Sequence, residues 1–235
     1  MIFNGIEKEY IVVTTGRIRP FFAPLSRDVR FDSKLVKTDR GHRIIEVPVY
    51  IKYNSKQEFR TLTEDIAGWL VHDEPKELIF KDEPDRVYFA LIDDTVNEDF
   101  LYNQGTSAIL KFICGYKYSH EKQLTTPILQ NIEGHKSTIW RTRTVFSTNT
   151  TGYEFQFNAS GKSNLRDINR IVVNGEFLSG DILEIDYSER KITLNGNDIS
   201  NQLVIMQSNY RELDIGNVEF TASHETDVFY RERYY

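Results

Sequence analysis

Residues 55–92 read SKQEFRTLTEDIAGWLVHDEPKELIFKDEPDRVYFALI, and this stretch joins three unlike elements with almost no slack. Phe59, Leu62, Ile66, Trp69 and Leu70 recur at helical spacing and form one apolar stripe. Ser55 followed by Glu58 has the spacing of a capping box, in which hydroxyl and carboxylate each satisfy a free amide. The helix must stop before Pro75, which lacks an amide proton and disfavours helical geometry just before it. A short strand, Glu77–Lys81, is expected next, then a turn over Asp82-Glu83-Pro84-Asp85 and a second strand, Arg86–Ile92.

Upstream, Ile45, Val47, Val49, Ile51 and Tyr53 alternate with Glu46, Pro48, Tyr50 and Lys52. That period predicts a half-buried antiparallel strand, with Pro48 at an edge or a bulge. Arg27 to His42 is charged and without a period, and reads as a long loop or arm suited to touching a neighbouring subunit. Downstream, Ser107–Tyr118 alternates again, with Cys114 in step with Leu110 and Phe112, which predicts a buried, unreactive thiol. From Ser137 the helical pattern vanishes. Strand-like runs follow at Trp140–Ser147, Tyr153–Asn158, Ile168–Asn174, Ile182–Tyr187, Lys191–Leu194, Gln202–Met206, Val218–Ala222 and Asp227–Tyr234. Asn174-Gly175, Ser179-Gly180, Asn195-Gly196 and Gly216-Asn217 punctuate them as turns. The expected fold is mainly β with one or two helices: an α+β domain over residues 1–125 and a jelly-roll β-sandwich over 126–235.

The formal net charge of −6 argues against nucleic acid as a specific partner, because phosphate binding requires a basic face. The single cysteine rules out a disulfide within one chain. MIFNGIEKEY lacks the basic-then-apolar form of a secretory signal, and no window nears the ~20 apolar residues of a membrane span. The chain is therefore expected to stay soluble in the cytoplasm where it is made.

Candidate chemistry is sparse. His42, His72, His120, His135 and His224 show no metal-ligand spacing. His72-Asp73-Glu74 falls at a helix end, where a histidine complements the dipole. Asp93-Asp94 and the Asp82–Asp85 cluster read as turn chemistry. Gly161-Lys162-Ser163 resembles the end of a phosphate loop, but Gln156 stands where that loop needs glycine. No catalytic, cofactor-binding or metal residue is assigned, and no enzyme is expected.

Two regions far apart resemble one family. Ala67-Gly68-Trp69-Leu70 followed by Leu78–Tyr88 (LIFKDEPDRVY) looks like the amino-terminal domain of the siphophage distal tail proteins. Ser179–Asp186, Leu194-Asn195-Gly196, Leu213–Asn217 and the closing run Phe229–Tyr234 resemble that family's carboxy-terminal domain. The resemblance implies a hexameric ring at the tip of a long non-contractile tail, built by the first domains, with galectin-like sandwiches projecting outward. It implies as partners the tail tube protein, the tail tip or tail-associated lysin, and receptor-binding or baseplate proteins, with DNA passing through the ring. It further implies assembly in the bacterial host cytoplasm and a mature location at the virion tail tip. The rival reading is a carbohydrate-binding sandwich using Trp140, Tyr153 and Phe155 as an aromatic platform, though these three read first as core residues of early sandwich strands; a third is a glycosidase using Asp181, Glu184 or Asp186, which read first as surface residues.

Overall fold

The computed structural model describes residues 1–14, 16–21, 23–29, 35–93, 105–137, 139–159 and 169–235. The chain divides into two compact units, Met1–Tyr118 with Tyr235, and Ser119–Tyr234. It is mostly β, with one α-helix among the described residues.

In the first unit the strands are β1 (Ile2–Phe3), β2 (Ile11–Val13), β3 (Leu25–Val29), β4 (Leu35–Arg40), β5 (Arg43–Lys52), β6 (Lys76–Phe80), β7 (Glu83–Ile92) and β8 (Gly105–Tyr118). Six of them form an antiparallel sheet in the order β1-β6-β7-β8-β5-β2. Its central ladder pairs β5 with β8 from Arg43↔Cys114 to Lys52↔Gly105. The predicted alternation holds: Ile45, Val47, Val49, Ile51 and Tyr53 are all buried. Pro48 lies one strand in from the edge. Thr14 donates its backbone amide to the Pro48 carbonyl, but the return bond is missing because proline has no N–H.

Helix α1 (Lys56–Leu70) covers the core face with Phe59, Ile66, Trp69 and Leu70, while Leu62 is half-buried. Ser55 Oγ accepts the Glu58 amide at 3.1 Å; the returning Glu58 carboxylate takes the Asn54 amide, one residue outside the usual box. The helix ends at Leu70, four residues ahead of the limit set by Pro75. The Trp69 indole N–H donates to the Phe3 carbonyl, and Lys8 and Tyr10 both grip Asp65, which ties the amino-terminal segment to the helix.

Two expectations change here. The Arg27–His42 segment is no plain loop: β3 and β4 pair as a separate antiparallel hairpin. A two-stranded ribbon needs no buried face, so no alternation marks it in the sequence. The acidic turn is also shorter than expected. Phe80 pairs with Glu83, so the hairpin turn is Lys81-Asp82 alone, and Glu83, Pro84 and Asp85 already belong to β7.

The second unit is a two-sheet antiparallel sandwich. Its strands are β9 (Lys122–Thr125), β10 (Ile128–Ile132), β11 (Trp140–Val145), β12 (Thr150–Ala159), β13 (Asn169–Phe177), β14 (Ile182–Asp186), β15 (Lys191–Leu194), β16 (Asn197–Asp198), β17 (Gly216–Ala222) and β18 (Thr226–Tyr230). One sheet runs β10-β17-β12-β13 and the other β16-β15-β14-β11-β18-β9. The core between them is aromatic, with Trp140, Phe146, Tyr153, Phe155, Phe157, Phe177, Tyr187, Phe220 and Tyr230 all buried. Within it, the hydroxyls of Thr144, Tyr153 and Thr226 bond mutually at 2.8–3.1 Å, and Thr226 also donates to the His224 carbonyl.

Asn195-Gly196 forms the expected two-residue hairpin turn, with φ of 51° and 82°. Asn174-Gly175 does not turn. It lies inside β13, where the register against β12 slips between Thr151 and Tyr153, so the glycine serves a bulge. Gln202–Met206, expected as a strand, instead holds parts of two 3-10 turns, Ser200–Gln202 and Ile205–Gln207, pinned to β13 by the Val204 amide on the Val172 carbonyl.

The Tyr230–Tyr234 run closes the sandwich. Ser119 and Glu232 exchange main-chain and hydroxyl bonds, and Arg231 donates to the Ser119 carbonyl at 3.2 Å. Glu232 is 3% exposed; its carboxylate takes Lys122 at 2.8 Å, the Tyr234 hydroxyl at 2.8 Å and the Glu133 amide at 3.2 Å. Burial alone would raise its pKa, but Lys122, Tyr234 and Glu133 outweigh burial and hold it below the usual carboxylate range. A folded pKa below the unfolded value of about 4.3 gives stability that is present above that pH and lost as pH falls through the folded value. Glu232→Gln should therefore cost about 2 kcal/mol at neutral pH and much less near pH 3, as read by denaturant unfolding at the two pH values.

Candidate assembly surfaces

Asp82, Glu83 and Asp85, the acidic cluster read as a turn, sit at one end of the first unit's sheet, and each has a basic partner. The segment after edge strand β2 carries Arg17 and Arg19 to the β6–β7 turn, beside the sheet's opposite edge, so the sheet curls. Arg17 binds Asp82 through both guanidinium nitrogens, at 2.9 and 2.6 Å, and stacks 3.9 Å above the Phe80 ring. Burial pushes the Asp82 pKa upward, yet the Arg17 contact prevails and the net direction is down. Glu83 accepts from Arg19, from the Tyr88 hydroxyl at 2.8 Å and from Lys117 at 3.2 Å. Asp85 pairs with Arg86 at 2.8 Å. These carboxylates hold the curled sheet shut, which is a larger role than turn hydrogen bonding.

Other candidates disperse. Asp93 ends β7 with its amide on the Lys111 carbonyl; Asp94 and Gly161-Lys162-Ser163 lie outside the described residues. His72 sits just past α1 with a ring nitrogen 3.0 Å from the Trp69 carbonyl oxygen. His224 meets Phe146 edge-on and lies near-parallel to Tyr153, while His42, His120 and His135 occupy separate places. Asp181 caps the Leu178 amide and the Asn195 amide group, and these bonds, led by Leu178, lower its pKa. Asp186 takes Ser188 and Glu189, and Glu184 faces Arg143 at 3.7 Å. Trp140, Tyr153 and Phe155 are 2%, 2% and 0% exposed, so the proposed sugar platform is part of the sandwich core.

No motif or period in the chain announces the outer face of the β5–β8 sheet. Side chains opposite to the core side include Ile44, Pro48 and Tyr50 of β5, Ile109 and Ile113 of β8, and Val12 of β2. Ile18, bridged to Glu46, joins them at 60% exposure, with Ile109 at 49% and Ile44 at 43%. Single exposed isoleucines are ordinary, but several on one sheet face form a patch of the kind that marks an interface.

Comparison with known proteins gives the class. Residues 133–234 match the family model described as a siphovirus-type tail component, C-terminal domain, and residues 33–114 match a phage tail protein RIFT-related domain. The distal tail protein of Bacillus phage SPP1 is 29% identical over 179 residues, covering 72% of this chain and 68% of that one. The crystal structure of SPP1 Dit, described as a paradigm of hub adsorption apparatus in phages infecting Gram-positive bacteria, superimposes with a TM-score of 0.76 at 18% identity, over 100% of this chain and 98% of that one. The phage P2 baseplate structure matches with a TM-score of 0.59 at 11% identity, over 94% and 92%. The chain belongs to the siphophage distal tail proteins, with tail family models matching both of its units.

Cys114 is a structural residue in this setting: it is 3% exposed, and burial pushes its thiol up to about 11. At pH 8 it should react with a disulfide reagent on the order of a hundredfold more slowly than free cysteine, with full reactivity on unfolding, as followed by absorbance of the released thiolate.

Proposed function

We propose that the chain acts by assembly, closing into a hexameric ring that connects the tail tube to the tip, baseplate and receptor-binding proteins of a non-contractile tail. The first domain, residues 1–125, builds the ring, and the second, residues 126–235, engages the other tip proteins. The observation that supports this most is the apolar outer face of the first unit's sheet. One side of that sheet already carries the core and α1, so the exposed isoleucines on the other add nothing to the fold of a lone chain. The relatives' described place in an adsorption hub agrees with such a role. No turnover enters this reading, since the acidic residues considered for catalysis serve as partners of basic side chains or as caps of turns.

Electron microscopy of the purified protein should show six-fold rings with a central hole, and light scattering should give six times the chain mass. Ile109→Glu places a charge on the outer face at a half-exposed position. It should leave the circular dichroism spectrum unchanged and shift the scattering mass to that of one chain. A monomer at every accessible concentration for the unaltered protein, with tube and tip proteins supplied, would sink the ring.

A further inference from the structure

The alternation that buries Ile45, Val47, Val49 and Ile51 also turns Arg43, at the head of β5, toward the core side, where it is 2% exposed. Its guanidinium makes one hydrogen bond, from Nη2 to the Phe21 carbonyl at 3.2 Å, and stands 5.9 Å from the Tyr88 ring centre. Its Nε is buried with no partner. No carboxylate pairs with it among the described residues. Arginine stays protonated in proteins and is almost never fully buried unless paired, because an uncompensated buried charge costs several kcal/mol.

The surroundings deepen the imbalance. Arg19 and Lys117 share this end of the sheet, and the carboxylate between them, Glu83, is already committed to both. Burial and then the nearby Arg19 and Arg43 charges depress the Lys117 amine. Arg43 also lines a cavity of about 500 Å³ whose other walls include Phe21, Leu25, His42, Tyr116 and Tyr235. This volume suits several side chains and lies within the range of ligand sites. Phe21, on its rim, is 92% exposed. The lining is thus apolar and aromatic around one unsatisfied cation.

We propose that this cavity is a socket for a second copy of the chain, filled by an apolar segment whose Asp or Glu side chain completes Arg43. Charge complementarity selects this occupant: positive charge is in local surplus at the socket, while the chain as a whole carries six more carboxylates than basic groups. A socket and an unlike segment make a head-to-tail contact, the kind that closes rings. The inference rests on the self-assembly reading above and names a contact within it.

Arg43→Met keeps the side chain's length and removes its charge. It should leave the melting temperature of the dissociated chain equal or higher, while the concentration for half-assembly, read by sedimentation velocity, rises at least tenfold. Phe21→Ser alters only the exposed rim and should weaken assembly in the same direction without touching stability. If the unaltered chain assembles and both variants assemble at its concentration, the socket is wrong and the ring stands. A drop in melting temperature for Arg43→Met with assembly by Phe21→Ser unchanged makes Arg43 a structural residue and likewise overturns the socket. If the unaltered chain never self-associates, the assembly reading falls and the socket with it.

Discussion

The first unit depends on one ladder, the unbroken pairing of β5 with β8 from Arg43↔Cys114 to Lys52↔Gly105. Because strand side chains alternate with a period of two, this register decides at once which residues meet the core and which meet a neighbour. A slip by one residue would send Ile45, Val47, Val49 and Ile51 outward and bury Glu46 and Lys52. Gly105 locks one end: a β-carbon there would collide with the Tyr50 ring and the Ile51 carbonyl. At the other end the same register delivers Arg43 to the core side, so the buried cation is a consequence of the ladder and not a local accident.

Much of this was legible in the sequence, and the exceptions have physical causes. Helix α1, β5, β8 and the β15–β16 hairpin wrote their periods or turn residues plainly, since each buries one face or needs positive φ. The β3–β4 hairpin wrote none: its residues follow no period of two, and it pairs only with itself. Asn174-Gly175 misled because a bulge and a turn ask for the same backbone freedom. The contacts of Arg17 with Asp82 and Arg19 with Glu83 span more than sixty residues, and nothing local in the chain announces a pairing at that separation. The apolar outer face escaped for a related reason: an exposed isoleucine and a buried one look alike in a strand until the sheet is assembled.

The motifs that carry the family resemblance prove to be fastenings. The DEPDR run clamps the curled sheet through Asp82 and Glu83. The Gly180–Asp186 run, through Asp181, fixes Leu178 in the crossover from β13 to β14 and Asn195 in the β15–β16 turn. The closing Tyr-Arg-Glu-Arg run holds Ser119, Lys122 and Glu133 together through Glu232. The charged residues of these runs join distant parts of a β-rich chain.

The hydroxyls of Thr144, Tyr153 and Thr226 lie sealed between the two sheets, each satisfied mainly by the other two. Removing any one takes a hydrogen bond from each companion while the remaining two stay bonded to each other, whereas exchanging all three for hydrocarbon of equal volume leaves nothing unsatisfied but the His224 carbonyl. The three positions therefore answer substitution as one piece: a change at any of them is felt at the other two, and through them by both sheets at once.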